Sequence, residues 1–311
     1  MLLARLMRAL VTGAAGFVGT HLVRDLRARG VDVVAVDRLS GRGITPVELT
    51  DRAAVATLVA RTSPSHVFHL GGLLRAPDYA SLYEVNVIAT AHLLEALSGL
   101  AMKPRVLVAS SSAVYGTGPA DAPMVESRPA APLNHYGASK VAQEAVVLQA
   151  VGTHRLPALI SRTFNIVGPG QPATLAAGSF AEQLARAERL PSPHLETGDL
   201  SAIRDFVDVR DVVAAMRALM EHGEPGQAYN VCTGVPRTIS LCVDGLIAAC
   251  RVKVSVAQAA SRSHTHALEA QVGDPGRLKA LTGWRPEVSF EQSMNDLLDS
   301  WRQKVSVEGH S

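Results

Sequence analysis

The sequence predicts an α/β protein built on a doubly wound parallel sheet, with a smaller C-terminal α+β lobe. Three observations predict it. Short apolar runs alternate with amphipathic stretches through the first half, and a glycine-rich turn joins the first run to the first such stretch. The alternation then gives way to less regular elements after a Gly/Pro-rich connection at 168–178. Strands alternating with helices of this length form a parallel sheet covered by helices on both faces.

Taken in order, "RALVTG" (8–13), "DVVAVD" (32–37), "HVFHLGG" (66–72), "RVLVASS" (105–111) and "PALISRTFN" (157–165) read as buried strands. Between them, "GTHLVRDLRARG" (19–30) and "ASLYEVNVIATAHLLEALSGL" (80–100) have the apolar spacing of helices. Past "GPGQPATLAAG" come a helix in "SFAEQLARAERL", a short "RDFVDVRDVV", then "QAYNVCTG" and a last helix in "SFEQSMNDLLDSWRQKV". These place a boundary near residue 166, dividing the chain into a dinucleotide-binding domain, 1–165, and a substrate lobe, 166–311.

Composition narrows the function. With 311 residues, 47% hydrophobic and 19% charged, the chain can bury a sizeable core. A net charge of +2 gives no electrostatic case for nucleic acid or an acidic membrane surface. Cys232, Cys242 and Cys250 form neither a metal-ligand set nor a disulfide framework, which suits buried thiols in a reducing compartment. The apolar start is broken by Arg5 and Arg8 and runs into a glycine turn rather than a cleavage site, so no secretion signal is read. No apolar run approaches bilayer length, and a cytoplasmic protein is expected.

The glycine turn carries the first chemistry. In "ALVTGAAGFVGTHLV", Gly13, Gly16 and Gly19 follow a strand and open a helix. The first glycine allows a sharp turn, the second allows backbone to approach a pyrophosphate, and the third lets helix and sheet pack closely. Spacing alone is weak, but the context of a Rossmann-type dinucleotide site is met, with Asp37 ending the next strand. Asp37 suits a ribose diol and argues for NAD, whereas Arg38 and Arg42 could pair with a 2′-phosphate and argue for NADP. Phe17 and Val18 in the turn, Glu48 and Leu49 after the third strand, and Leu70 and Gly71 at a strand end complete the expected cofactor contacts. Glu48 and Asp51 have an equally good reading as a solvated helix start, with Asp51 or Thr50 as its cap.

The second chemistry lies in "LNHYGASKVAQE" (133–144), where Tyr136 and Lys140 sit one helical turn apart. A phenol ionises near pH 10, too high for easy exchange at neutral pH, and a neighbouring ammonium with an oxidised nicotinamide would lower it. Such a tyrosine can give a proton to a carbonyl oxygen as hydride arrives. The pair alone is often chance. The ordered set of glycine turn, acidic strand end, "VLVASSSAVYG" and "YGASK" resembles the extended short-chain dehydrogenase/reductase family of nucleotide-sugar epimerases, dehydratases and reductases.

That resemblance covers nearly the whole chain, through "TGWRPEVSFEQSMNDLL". It implies Ser111, Tyr136 and Lys140 as the catalytic set, a nucleotide-diphosphate sugar as substrate, NAD(P)H as cofactor, and a homodimer formed through the helices at 80–100 and 136–150. Family dehydratases carry a glutamate, often after an aspartate, where this chain has Ser112 and Ala113. Neither can shuttle the proton that elimination needs. Enzymes combining epimerisation with reduction place a cysteine where Ala113 stands, which weakens that activity too. Reduction of a 4-keto sugar and NAD-retaining 4-epimerisation remain.

"SRTFNIVGPGQ", "AIRDFVDVRDVV" and "YNVCTG" look most like the GDP-4-keto-6-deoxy-D-mannose reductases of the family, which favours a 4-ketoreductase. The same resemblance implies Asn165 and Arg204 at the diphosphate, with Ser111, Ser112, Gln171 and Arg262 as further substrate contacts. A guanidinium suits phosphate, although Arg204 could instead pair with Asp205. Arg262 is displaced from the family's arginine, and Ala267 stands at its acidic position, so the base could be GDP, dTDP or UDP. His69 reads as a core residue. His264 and His266 read as solvated, with no third ligand at zinc spacing. A non-catalytic dinucleotide-binding regulator is the different-class alternative. Such proteins commonly lose the Tyr or Lys that this chain retains.

Overall fold

The computed structural model of the chain describes residues 7–258 and 270–308. The first half runs β1 (Arg8–Thr12), α1 (Phe17–Ala28), β2 (Asp32–Asp37), β3 (Thr45–Pro46), α2 (Arg52–Thr62), β4 (His66–His69), α3 (Tyr79–Tyr83), a π-helical turn (Glu84–Ile88), α4 (Ala89–Ser98), β5 (Arg105–Ser111), a 3₁₀ turn (Ser112–Tyr115), α5 (His135–His154) and β6 (Ala158–Thr163). Then follow β7 (Asn165–Val167), α6 (Ala176–Ala187), β8 (His194–Thr197), β9 (Ile203–Asp208), α7 (Val209–His222), β10 (Ala228–Val231), β11 (Pro236–Thr238), α8 (Ile239–Ala248), β12 (Ser255–Gln258), β13 (Ala270–Gln271), α9 (Gly276–Thr282) and α10 (Phe290–Glu308).

The strands expected in the first half form, each within a few residues of its predicted bounds. They lie in a seven-stranded parallel sheet of order β10-β6-β5-β4-β1-β2-β3. Its seventh strand, β10, comes from "QAYNVCTG", which the sequence reading placed among the elements of the second lobe. Helix α7 also returns to this sheet. The reason is burial. Strand side chains alternate between two cores, and α2, α4 and α5 cover the face of Leu10, Val67, Val106 and Ile160. The opposite face, with Ala9, Val11, Phe68 and Leu107, has α1 alone from the first half, and α7 with Leu278 and Trp284 covers the remainder. A parallel sheet buried on both faces needs that second cover.

The remaining elements build the second lobe. Strands β7, β9, β11 and β13 form one small sheet, and β8 pairs with β12 in another. Helices α6, α8 and α10 enclose a third core around Phe180, Leu246, Leu297 and Trp301. Asp205 ties this sheet to the first lobe: its buried carboxylate accepts from Thr233 N, Thr233 Oγ1 and Gly234 N at 2.7–2.8 Å, and from Gly273 N at 3.3 Å. Strand order in the large sheet reverses between β4 and β1, and the crevice outside their C-terminal ends is where an open α/β sheet receives a ligand. No helix among the described residues is long and apolar enough to cross a membrane.

Candidate active site

At that crevice the turn after β1 is shaped by the absence of side chains. Gly13 has φ +69°, and a Cβ there would lie 2.7 Å from Gly71 N. A Cβ on Gly19 would lie 2.0 Å from Gly13 O, so α1 sits on the turn with no space between. Gly16 differs. A Cβ there would meet only Gly13 O, at 3.1 Å, and the residue is exposed at the helix N-terminus with no side-chain cap. Helix N–H groups and the positive end of the helix dipole are thus left facing the crevice.

A cavity of about 270 Å³ opens here, lined by Gly13, Gly16, Asp37, Arg38, Glu48, Leu49, Leu70 and Gly71 among others. Phe17 and Val18 instead begin α1, where Phe17 packs edge-on against His21 and Val18 packs on the core. Asp37 is held in place, Oδ2 accepting from Ala15 N at 3.0 Å and Oδ1 from Leu39 N at 3.1 Å. Arg38 is exposed at the rim. Asp51 is the cap of α2, accepting from Ala53 N at 2.9 Å and Ala54 N at 3.0 Å, while Glu48 lines the cavity wall. The shape and donors fit a dinucleotide. Bare backbone can approach phosphate, the Asp37 carboxylate can take a ribose diol, and apolar Leu49 and Leu70 can flank a base.

Ser111, Tyr136 and Lys140 come together at the C-terminal end of β5. Asn134 caps α5, accepting from Gly137 N at 2.9 Å, and so fixes where the helix starts and how Tyr136 enters the site. Gly137 packs tightly, since a Cβ there would lie 2.6 Å from Ala113 O. The Ser111 hydroxyl lies beside the Tyr136 phenol and favours the phenolate. Burial acts more strongly, and the phenol sits above its ordinary value. The lowering expected from the ammonium and an oxidised nicotinamide together is not produced by Lys140 alone. Lys140 Nζ is turned away, donating to Ala109 O and Gln143 Oε1 at 2.9 Å each. Burial brings Lys140 itself down to about 8, against the opposing charge of Glu144.

The side chains under α5 were not legible in the sequence. Glu144 accepts from Ser110 Oγ at 2.6 Å and pairs bidentately with Arg162, at 2.9 and 2.7 Å. Arg162 lies 4.8 Å from the Tyr115 ring centroid and donates to its hydroxyl at 2.9 Å. Asn86, fully buried in the π-helical turn, clasps the loop after Gly72. Its Oδ1 accepts from Leu73 N at 2.7 Å, and its Nδ2 donates to Leu73 O and Ser139 Oγ at 2.9 Å each. An asparagine inside the apolar run "EVNVIAT" was the available signal. His69 is buried as expected, though bonded on both ring nitrogens.

The substrate candidates are spread more widely. Asn165 Nδ2 donates to Asp205 O at 3.4 Å, and Arg204 Nη1 to Ile203 O at 2.8 Å. The Asp205 carboxylate, taken up by the 233–234 turn and Gly273, is not the partner of Arg204 that the sequence allowed. Ser112 is buried and donates to Gln271 Oε1 at 3.3 Å. Gln171 is 4% exposed, its Nε2 donating to Ile166 O at 3.0 Å, while its buried Oε1 has no partner among the described residues. Arg262, His264 and His266 lie outside the described residues.

A crevice built for a dinucleotide beside a Ser–Tyr–Lys set defines a nicotinamide-dependent oxidoreductase fold and site. The chain belongs to the NAD dependent epimerase/dehydratase family, whose model matches residues 9–232. It is 33% identical to a GDP-6-deoxy-D-mannose reductase of Pseudomonas aeruginosa, across 97% of this chain and 99% of that protein. Its fold matches a solved structure of RMD from Pseudomonas aeruginosa complexed with NADPH, with TM-score 0.86, 32% identity, and 96% and 99% of the two chains covered. It also matches a Thermus thermophilus UDP-glucose 4-epimerase in complex with NAD, with TM-score 0.83, 30% identity, and 95% and 99% covered.

Proposed function

We propose that this protein reduces the 4-keto group of a nucleotide-diphosphate 4-keto-6-deoxyhexose with NAD(P)H as cofactor. One observation carries the reading. Tyr136 is a phenol kept protonated by burial next to Ser111, with Ser112 and Ala113 following where an eliminating enzyme needs a carboxylate. Likeness to a GDP-6-deoxy-D-mannose reductase over almost the full length supports the same activity.

Gly13, Gly16, Asp37, Leu49 and Leu70 would hold the dinucleotide, which when bound supplies hydride to the sugar carbonyl. The protein's part is the proton and the geometry. Ser111 holds the carbonyl oxygen, and Tyr136 donates its phenolic proton as negative charge grows there. A raised phenol value suits this direction, because the acid is fully protonated at neutral pH. Lys140, charged below about 8, then stabilises the phenolate left behind. Asn165 and Arg204 are the diphosphate contacts in this reading, with the two small sheets and helices α6, α8 and α10 as the substrate lobe.

Assembly is read as a homodimer through the 79–98 and 135–154 faces, where Ile88 and Leu148 are each 48% exposed. Free thiols at Cys232, Cys242 and Cys250 suit a cytoplasmic enzyme. The test offers purified protein a panel of GDP-, dTDP- and UDP-4-keto-6-deoxyhexoses with NADH and NADPH. Stoichiometric loss of reduced nicotinamide is expected with at least one. Interconversion of hydroxy sugar nucleotides without net oxidation would transfer the case to a 4-epimerase.

A further inference from the structure

Beneath the reacting end lies a buried run of polar side chains that the proton transfer does not itself use. Lys140 Nζ donates to Gln143 Oε1, and Gln143 Nε2 donates to Thr90 Oγ1, each at 2.9 Å. Thr90 Oγ1 gives its one proton to Asn86 O at 2.7 Å. The 2.8 Å contact between His69 Nε2 and Thr90 Oγ1 must therefore be an imidazole N–H donated to the threonine. His69 Nδ1 is then an acceptor, taking the proton of Thr12 Oγ1 at 2.7 Å, while Thr12 Oγ1 accepts from Gly71 N at 3.2 Å. Every donor atom of the run has an acceptor under this one assignment. Thr12, Thr90 and Gln143 are fully buried and His69 is 1% exposed, so the polarity is not exchanged with solvent.

We propose that Gln143 is a positioning residue for Lys140, an arm that Thr90 and His69 hold rigid so that its carbonyl fixes the ammonium and keeps it charged. The proposal rests on the reductase reading and adds a residue to it. An amide oxygen accepting from an ammonium in a dry site favours the charged form. On its other side the ammonium is held by β5, donating to Ala109 O at 2.9 Å. The run also reaches the cofactor wall at Gly71, so the strand end that borders the cavity and the lysine share one frame. The titratable groups whose charge bears on Lys140 are Glu144 on α5 and His69 on β4, with Arg162 on β6 acting through Glu144. His69, pushed down to about 3 by burial and by Lys140, stays neutral throughout the working range.

The experiment follows the Cε resonances of ¹³C-lysine in the cofactor-free protein as pH is raised. The lysines are Lys103, Lys140, Lys253, Lys279 and Lys304, and Lys140→Met assigns the signal of interest. In Gln143→Leu the Lys140 midpoint should fall by about one pH unit. The alkaline limb of kcat should move with it, kcat dropping about twofold at pH 7 and about tenfold at pH 9 while KM for the sugar nucleotide holds within about twofold. In Gln143→Glu the midpoint should rise. If Gln143→Leu does not fold, Thr90→Val, which releases the arm, should lower the midpoint instead. An unmoved midpoint in the folded variants overturns the proposal, as does lost kcat with an unmoved alkaline limb. Wild-type protein that oxidises no reduced nicotinamide sinks the reductase reading alone, because the lysine titration is read without substrate.

Discussion

The glycine turn after β1 and the polar floor under α5 both hold reacting groups in register, by opposite means. The turn works by omission: Gly13 and Gly19 have no room for a single carbon, and the geometry is that of bare backbone. The floor works by pairing, with Lys140 and Glu144 buried, Arg162 largely covered, and each charge answered by a bond. Steric fits fail abruptly and ignore pH. Charged pairs fail by degrees, and their failure depends on protonation.

The largest test of that contrast is Arg162→Met. It leaves the Glu144 carboxylate buried without its partner, and a loss of about 3–5 kcal/mol is expected in denaturant unfolding. The double variant Arg162→Met, Glu144→Leu should recover much of this, whereas equal losses for single and double variants would show that packing, not charge, is what matters. In the turn, Gly19→Ala should cost ~3 kcal/mol, because the clash at 2.0 Å is with backbone. Gly16→Ala should keep its melting temperature and lose NAD(P)H affinity. Two glycine variants of equal stability would break the distinction between the cradle and its open lip.

Lys140 sharpens the comparison through pH. Its value in the folded protein, about 8, lies below the ordinary 10.5, so the unfolded chain holds the proton more tightly. The charge therefore opposes folding in full below about pH 8, and the opposition fades as pH rises from there towards 10.5. Relative to Lys140→Met, the wild type should gain stability across that window, which melting curves at neutral and alkaline pH would register. A constant difference would mean that the lysine is not desolvated. The smallest effect belongs to the rim. Arg38→Ala should lower NADPH affinity relative to NADH by about tenfold, and an unchanged ratio would remove Arg38 from cofactor choice.

What the sequence disclosed follows the same division. The turn was readable because its residues lie within one short segment, Gly13 to Gly19, and because the strand and helix flanking it have strong periodicity. Tyr136 and Lys140 were readable for the same local reason. The floor was not, since Gln143 meets Thr90 and Glu144 meets Arg162 only after α4, α5 and β6 have packed. Strand β10 was assigned to the wrong neighbours because a strand of four residues says nothing about which sheet edge it completes. Ser112 carries a hydroxyl that suits a ligand, yet the fold engages it at Gln271, and Gln171 is half engaged, its Nε2 bound to Ile166 O. Local sequence gives residue types, and burial decides which of them are left to bind anything.

The proton donor is the point on which all of this turns, and replacing one atom tests it. Tyr136→Phe should bind NAD(P)H with wild-type affinity and melt as the wild type does, while ketone reduction falls by ~10²–10⁴-fold. Undiminished reduction by that variant would contradict the assignment of Tyr136 as the acid.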